Sequence, residues 1–420
     1  MRRTHLTDRL EAAYRAADPT PGTPMTSTPA RDPAQGRLLL LTAILFISYL
    51  CIGIALPIVP VYVTTRLQLG NAWAGLGIGI AFLATIATRG YAGGISDRRG
   101  AKLAVGRGLA FYMAGALVSL IADVSLPSAW IAYAGLLAGR LLVGLGESLV
   151  GVGIVAWGIG IAGPARSGRV LALIGAAIYG ALAVGGPIGV ALLGRIGFAG
   201  AMAISAVLPS LGLLAIAFID GVPAHPDISR PSFLSVMSRI WLHGSIVCLQ
   251  GIGFAAIGAF FTLYFLDRQW SYAGLGLTAF GTGFVLMRVC FGHLPDRMGG
   301  LRVAIGSLAI EAVGQVLIWG AHDPALAFAG AFLTGLGCSM IFPAMGREVV
   351  QLVEPHLRGT ALGGFAAFQD AAYGLTGPLA GLLADRAGYG SVFLIGGVAA
   401  GIGLLIAASL RHARAVALER

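Results

Sequence analysis

Twelve apolar runs fix what this 420-residue chain can become. They cover 38–64, 72–95, 101–123, 129–157, 168–192, 198–219, 241–266, 272–294, 301–320, 325–348, 360–383 and 390–410. About 20 apolar residues in a helix cross roughly 30 Å of hydrocarbon, where only helices and closed barrels satisfy every backbone polar group. Runs of this length are helices, since a barrel strand needs only about ten residues. Charged residues make up 11% of the chain and hydrophobic ones 57%, against roughly 25% charged in a soluble domain. The chain therefore reads as an all-α membrane protein with 12 transmembrane helices. Its 64 glycines suit that setting, because small residues let helix backbones approach closely.

The net charge of +10 reports topology; no nucleic-acid partner is expected. Of the 28 lysines and arginines, Arg66, Arg195, Arg268 and Arg386 fall on one side and Arg89, Arg140 and Arg288 inside spans, leaving 21 on the other side. Basic loops stay cytoplasmic, so both termini of this multi-pass protein are expected to face the cytoplasm. The expected organisation is a disordered cytoplasmic tail at 1–37, a six-helix bundle at 38–219, a Pro-containing cytoplasmic linker at 220–240, a second six-helix bundle at 241–410 and a short tail at 411–420. Leu6 to Ala17 is a candidate short helix within the first tail. Met1 and Met25 are both possible starts, and no apolar run follows Arg2-Arg3 closely enough for a cleaved signal peptide. Cys51, Cys248, Cys290 and Cys338 lie inside apolar runs without paired spacing, so they read as small core residues. No metal site and no cofactor is expected.

Two Gly-punctuated hinge loops, Gly93 to Lys102 and Gly292 to Arg302, sit 199 positions apart, and at this offset Arg89, Gly93, Asp97 and Gly100 map onto Arg288, Gly292, Asp296 and Gly299. At an offset of 191, Gly144-Leu145-Gly146 maps onto Gly335-Leu336-Gly337, and Gly186-Pro187 onto Gly377-Pro378. Each unit crosses an even number of times, so the two units share one orientation and form a parallel repeat. Asp97 and Asp296 sit at the membrane–water boundary, where each can accept hydrogen bonds at a helix start and pair with an arginine. The pair of loops reads as a cytoplasmic gate: Arg89, Gly93, Asp97, Arg98, Gly100 and Lys102 in one, with Arg288, Gly292, Asp296, Arg297, Gly299 and Arg302 in the other.

The first loop resembles the signature of the major facilitator superfamily, Gly-x-x-x-Asp-Arg-x-Gly-x-Lys, and the second resembles its usual repeat copy. Glu354 to Gly363 is similar to the family's segment leading into span eleven. Gly-Glu-Ser at 146–148, Leu-Gln-Gly at 249–251 and Ala-Phe-Gln-Asp at 367–370 resemble a bacterial group of uncharacterised carriers labelled arabinose-efflux-like permeases. The resemblance covers residues 38–410 and implies two six-helix bundles around an axis along the membrane normal. Spans one, two, four, five, seven, eight, ten and eleven would then line the interface.

Ionisable residues inside a membrane are expensive and tend to be functional. Arg140 and Glu147 share span four. Their repeat-mates are Ala331 and Cys338, so this charge belongs to one half only. The two lie roughly 10 Å apart along the helix axis, too far for confident direct pairing. Arg140 resembles the family's buried span-four arginine, which is associated with proton transfer in antiporters. Glu147 with Arg140, and Asp370 in span eleven, are the expected proton-coupling residues; a structural ion pair is the competing role. Tyr49, Gln250, Gln369 and Glu311 are the expected polar residues of the substrate cavity, although span nine, which holds Glu311, is usually peripheral in the fold. Gly185, Gly186 and Pro187, with Gly377 and Pro378, are expected to permit close packing and helix bending. The span-five stretch resembles in part the Gly-Pro motif of drug–proton antiporters; Leu182 and Val190-Ala191 replace other glycines of that motif.

The expectation is therefore a proton-coupled secondary transporter exporting a small organic solute, drug-like or sugar, as a monomer. No Walker sequence, strand-borne Gly-rich loop or nucleophile–base constellation suggests an enzyme. A proton-symport uptake carrier and a non-transporting membrane receptor are the alternatives.

Overall fold

The computed structural model describes residues 33–125, 128–163, 166–223, 233–354 and 358–418. The expected tail helix at Leu6–Ala17, most of the 1–37 tail and linker positions 224–232 lie outside the described residues. Helix α1 is Pro33–Val61, extended by a π-helical turn at Tyr62–Arg66. Next come α2 Asn71–Arg99, α3 Ala101–Ser125 and α4 Ala129–Ala162. Ser167–Ile216 is one 50-residue run with a single non-helical residue, Gly197. Its φ of 73° is left-handed backbone that glycine adopts without a Cβ penalty. The run therefore folds there into α5 (167–196) and α6 (198–216), joined by one residue.

The second half repeats the order as α7 Phe233–Asp267, α8 Gly276–Phe291, α9 Gly300–Trp319, α10 Pro324–Gln351, α11 Arg358–Ala387 and α12 Gly390–Leu418. Helix α7 takes in 233–240, which the sequence reading assigned to the linker, and α12 continues through most of the expected 411–420 tail. Ten helices among the described residues are long and apolar enough to cross a membrane, one of them being the two-crossing run Arg169–Ile216. The twelfth crossing is α11, which carries Gln369 and Asp370 and packs along α2 and α7. Large apolar side chains such as Val289, Leu214 and Leu405 remain exposed on the outside of the bundle, as lipid requires.

Duplication is visible in the backbone contacts. A methyl group added at Gly146 would lie 2.7 Å from the Gly108 carbonyl oxygen, and one at Gly337 2.6 Å from that of Ser307. Gly115 and Gly139 meet in the same way as Gly314 and Gly330, and Gly144 meets Ala81 as Gly335 meets Phe280. These pairs match at the two offsets read from the sequence. The hinge loops match too. Gly100 has φ 94° and ψ 147°, Gly299 has φ 87° and ψ 148°, and each stands immediately before a helix start. A side chain at either position would be strained, which is why both copies keep glycine there.

The halves meet through α2 with α11, α5 with α8 and α1 with α7. On the face opposite the hinge loops, hereafter the far face, Gly75 lies against the backbone of Gly377, Gly79 against Gly374 and Gly381 against Asn71. The repeat-equivalent seam places Gly274 beside Pro187 and Val190, and Thr278 Oγ1 donates to Ala183 O at 2.7 Å. A polar clasp tops the first seam: Asn71 N and Nδ2 donate to Asp385 Oδ1 at 3.2 and 2.7 Å, and Tyr389 OH donates to Asn71 Oδ1 at 2.9 Å. Asp385 thus places a carboxylate at the N-terminus of α2, where the helix dipole favours it.

Candidate functional site

Halfway along α4, Glu147 is 8% exposed and reaches toward α1 and α2. Tyr49 OH donates to Glu147 Oε1 at 3.1 Å, and Thr85 Oγ1 stands 3.4 Å from Oε2 while bonding Gly144 O at 3.0 Å. The close α2–α4 approach that brings Thr85 there depends on Gly144, where any Cβ would collide with the backbone of Ala81. Arg140 is 3% exposed, and its Nε donates to Gly77 O at 3.1 Å. Among the described residues its Nη2 has no hydrogen-bond partner and it forms no ion pair with Glu147.

Asp370, 7% exposed on α11, is joined across the boundary between the halves by Arg89 of α2. Arg89 Nε donates to Asp370 Oδ2 at 2.8 Å, and Nη2 donates to the same oxygen. Sequence reasoning placed Arg89 with the gate because it lies near the hinge loop. Its long side chain instead points back into the membrane and meets Asp370. Arg89 is also within electrostatic reach of Glu147 and Tyr49. Three expected proton-coupling and cavity residues, Glu147, Asp370 and Tyr49, therefore form one site with Arg89 at its centre.

An aromatic cluster adjoins this site and, carrying no charge, was not marked by the sequence analysis. Tyr179 of α5 stacks on Phe284 of α8 with ring centroids 3.5 Å apart and lies 3.5 Å from Tyr373 OH through its own hydroxyl. Phe82 and Phe254 pack on Tyr373 at 5.1 and 4.8 Å. Gln369 Nε2 donates to Tyr373 OH at 2.7 Å, which sets Gln369 beside the cluster. The repeat would have found Tyr179: at the 191 offset it is the mate of Asp370.

Gln250 and Glu311 lie elsewhere. Both are buried within the second half, beside Cys338. Glu311 is 0% exposed, and neither carboxyl oxygen has a hydrogen-bond partner among the described residues. Gln315 Nε2 closes the same cluster by donating to Gly253 O at 3.2 Å and Thr334 Oγ1 at 3.3 Å. Among the expected gate residues, Asp296 pairs with Arg347 at 3.7 Å within its own half, and Arg347 Nη1 donates to Pro295 O at 3.0 Å. The Arg98 guanidinium folds back over Gly94. Arg288 lies over the Phe284 ring at 5.3 Å. In α5, Gly185 and Gly189 let the backbone of α1 approach at Gly53 and Ile54, and Gly186 faces Leu277 and Gly274 across the halves. Among the described residues no group of His, Cys, Asp or Glu could hold a metal ion.

The sequence model of the Major Facilitator Superfamily matches residues 41–275 and 244–420, two overlapping matches that together span both halves. The chain belongs to this superfamily. It is a membrane-embedded secondary transporter of small molecules and not an enzyme. An uncharacterised transporter of the same type from Salmonella typhimurium is 40% identical over 368 residues, 87% of this chain and 94% of that one. A Burkholderia mallei relative of the same description is 42% identical over 373 residues, 88% and 91% of the two chains. Among solved structures, a mutant of the nucleoside transporter NupG superposes with a TM-score of 0.73 at 15% identity, covering 89% of this chain and 99% of that one. The human organic anion transporter MFSD10 superposes at 0.67 and 15% identity, covering 90% and 100%. At that identity the two structures establish the superfamily fold alone.

Proposed function

We propose that this superfamily member is a proton-driven exporter of a small organic solute, working by alternating access in a bacterial inner membrane with both termini cytoplasmic. The observation that carries the reading is the Arg89–Asp370 pair, which ties one half to the other beside Glu147. Breaking a buried ion pair by neutralising one partner costs several kcal/mol. A proton delivered to Asp370 or Glu147 removes a counter-charge of Arg89 and weakens the tie between the halves. A shift of about 1.4 kcal/mol in that tie changes the balance between two conformations tenfold. The hinge-loop face is cytoplasmic by the placement of its basic residues, so the far face, where the glycine seams close, is the external one. Asp97 and Asp296 then act on the cytoplasmic side, as latches that engage when the carrier turns outward. The aromatic cluster of Tyr179, Tyr373, Phe82, Phe254 and Phe284 supplies an apolar surface for the solute at the same depth as the charges.

Purified protein in proteoliposomes tests this directly. An imposed pH gradient should drive solute accumulation, with the direction of flux separating export from proton-symport uptake. Glu147→Gln should abolish accumulation against a gradient and retain solute exchange. Normal accumulation by that variant would remove Glu147 from proton coupling.

A further inference from the structure

The repeat places Arg288 where Arg89 stands in the first half, but it does not give Arg288 a counter-charge. At the same offsets the mate of Asp370 is Tyr179. Arg89 donates twice to a carboxylate, whereas Arg288 has a neutral phenol within electrostatic reach. Arg288 forms no ion pair and no hydrogen bond among the described residues, and its Nε is shielded from solvent without a partner. Its guanidinium lies over the face of Phe284, and Phe284 stacks on Tyr179 from the opposite half. The cation therefore sits at the seam between the halves, next to the aromatic cluster.

We propose that Arg288 and Tyr179 hold the carboxylate of a small aromatic or apolar organic anion, which is the transported solute. Arginine offers a planar fork of donors that matches a carboxylate, and charge-assisted bonds of this kind are the strong ones. The Tyr179 hydroxyl can donate a further bond. Phe254, Phe284 and Tyr373 then cover the apolar body. In this arrangement the solute does for Arg288 what Asp370 does for Arg89, so loading would complete a second charge pair across the halves. The proposal rests on the transporter reading but not on proton coupling.

The test is equilibrium binding to the purified full-length protein, followed by thermal shift and by titration, with benzoate, salicylate and phenylphosphonate as anions. Benzamide and benzylamine serve as the neutral and cationic counterparts. The anions should raise the unfolding temperature while benzamide and benzylamine do not. Arg288→Gln should weaken anion binding by tenfold or more, Arg288→Lys by less, because the charge remains without the fork. Tyr179→Asp, which supplies the acid that the first half has, should abolish anion binding in a protein whose Arg288 is intact. That variant keeps the test decisive if Arg288→Gln fails to fold. The proposal is overturned if benzamide binds as well as benzoate, if Tyr179→Asp or Arg288→Gln leaves binding unchanged, or if none of the three anions shifts the wild-type protein. No proton gradient enters these measurements, so a failure of proton coupling in vesicles and a failure of anion binding would be recognised separately.

Discussion

The two halves share a backbone plan and differ in where they keep their charge. In the first, the carboxyl comes from α4: Glu147 accepts from Tyr49 and faces the boundary with the other half. Its mate on α10 is Cys338, and the second half's carboxyl, Glu311, comes from α9, where the first half has Tyr112. Acid and neutral group have exchanged helices. Glu311 consequently points into its own bundle, away from the boundary, while Gln250 replaces Cys51 beside it. The same contrast holds for the arginines. Arg89 is tied across the molecule to Asp370, whereas Arg288 has no ion pair or hydrogen bond among the described residues and rests on the Phe284 ring. A duplicated scaffold thus supplies two equivalent pockets, of which one is wired for charge at the interface and the other is left open to it.

The contrast can be broken most forcefully at Arg89. Arg89→Ala leaves Asp370 buried without its partner, and thermal unfolding should register a loss of about 3–5 kcal/mol. The double variant Arg89→Ala/Asp370→Asn should recover most of that loss; if it remains as unstable as the single variant, the pair is not what binds the halves there. Next come the glycine seams. Gly75→Ala drives a methyl group into the Gly377 backbone, which cannot yield, whereas at Gly274 the nearest atoms are a Val190 side-chain carbon at 3.0 Å and Pro187 Cα at 3.1 Å. Overpacking costs about 1–3 kcal/mol, so Gly75→Ala should open the far face to a membrane-impermeant thiol reagent at an introduced cysteine more than Gly274→Ala does. Equal labelling would show that the seams are energetically alike.

Smaller effects sharpen the comparison of the two carboxyls. Tyr49→Phe removes one hydrogen bond to Glu147, worth about 1 kcal/mol, and should alter the pH profile of flux several-fold in either limb. Glu311→Gln should leave flux within about twofold and stability within about 0.5 kcal/mol of wild type, since no partner is lost at either oxygen. A transport defect in Glu311→Gln as severe as that in Glu147→Gln would mean that the enclosed acid takes part in the cycle.

Much of this architecture was legible before any coordinates. Span length located the helices, and the two offsets paired glycines that do meet in space. The rest depended on features that a list of residues does not contain. The turn between α5 and α6 is a single glycine at positive φ, tighter than the link at 193–197 that the span boundaries suggested. Arg89 was read from the position of its Cα near the loop, but a six-atom side chain can carry its charge a full turn or more along the helix. The facing of Gln250 and Glu311 was hidden because helices apolar on all sides have no polar stripe to mark their buried face. Tyr179 escaped notice because an aromatic in a membrane span looks like ordinary filler until the repeat sets it opposite an acid.

The bare backbone contact at Gly75 and Gly377 carries one more implication. Where main chains touch with no side chain between them, a file of water molecules has no room to form. Any carrier is worthless if small ions can slip past it, so these glycines insulate as well as pack. Any residue with a Cβ at that crossing would prop the membrane's electrical barrier ajar and let the cell's stored gradient drain.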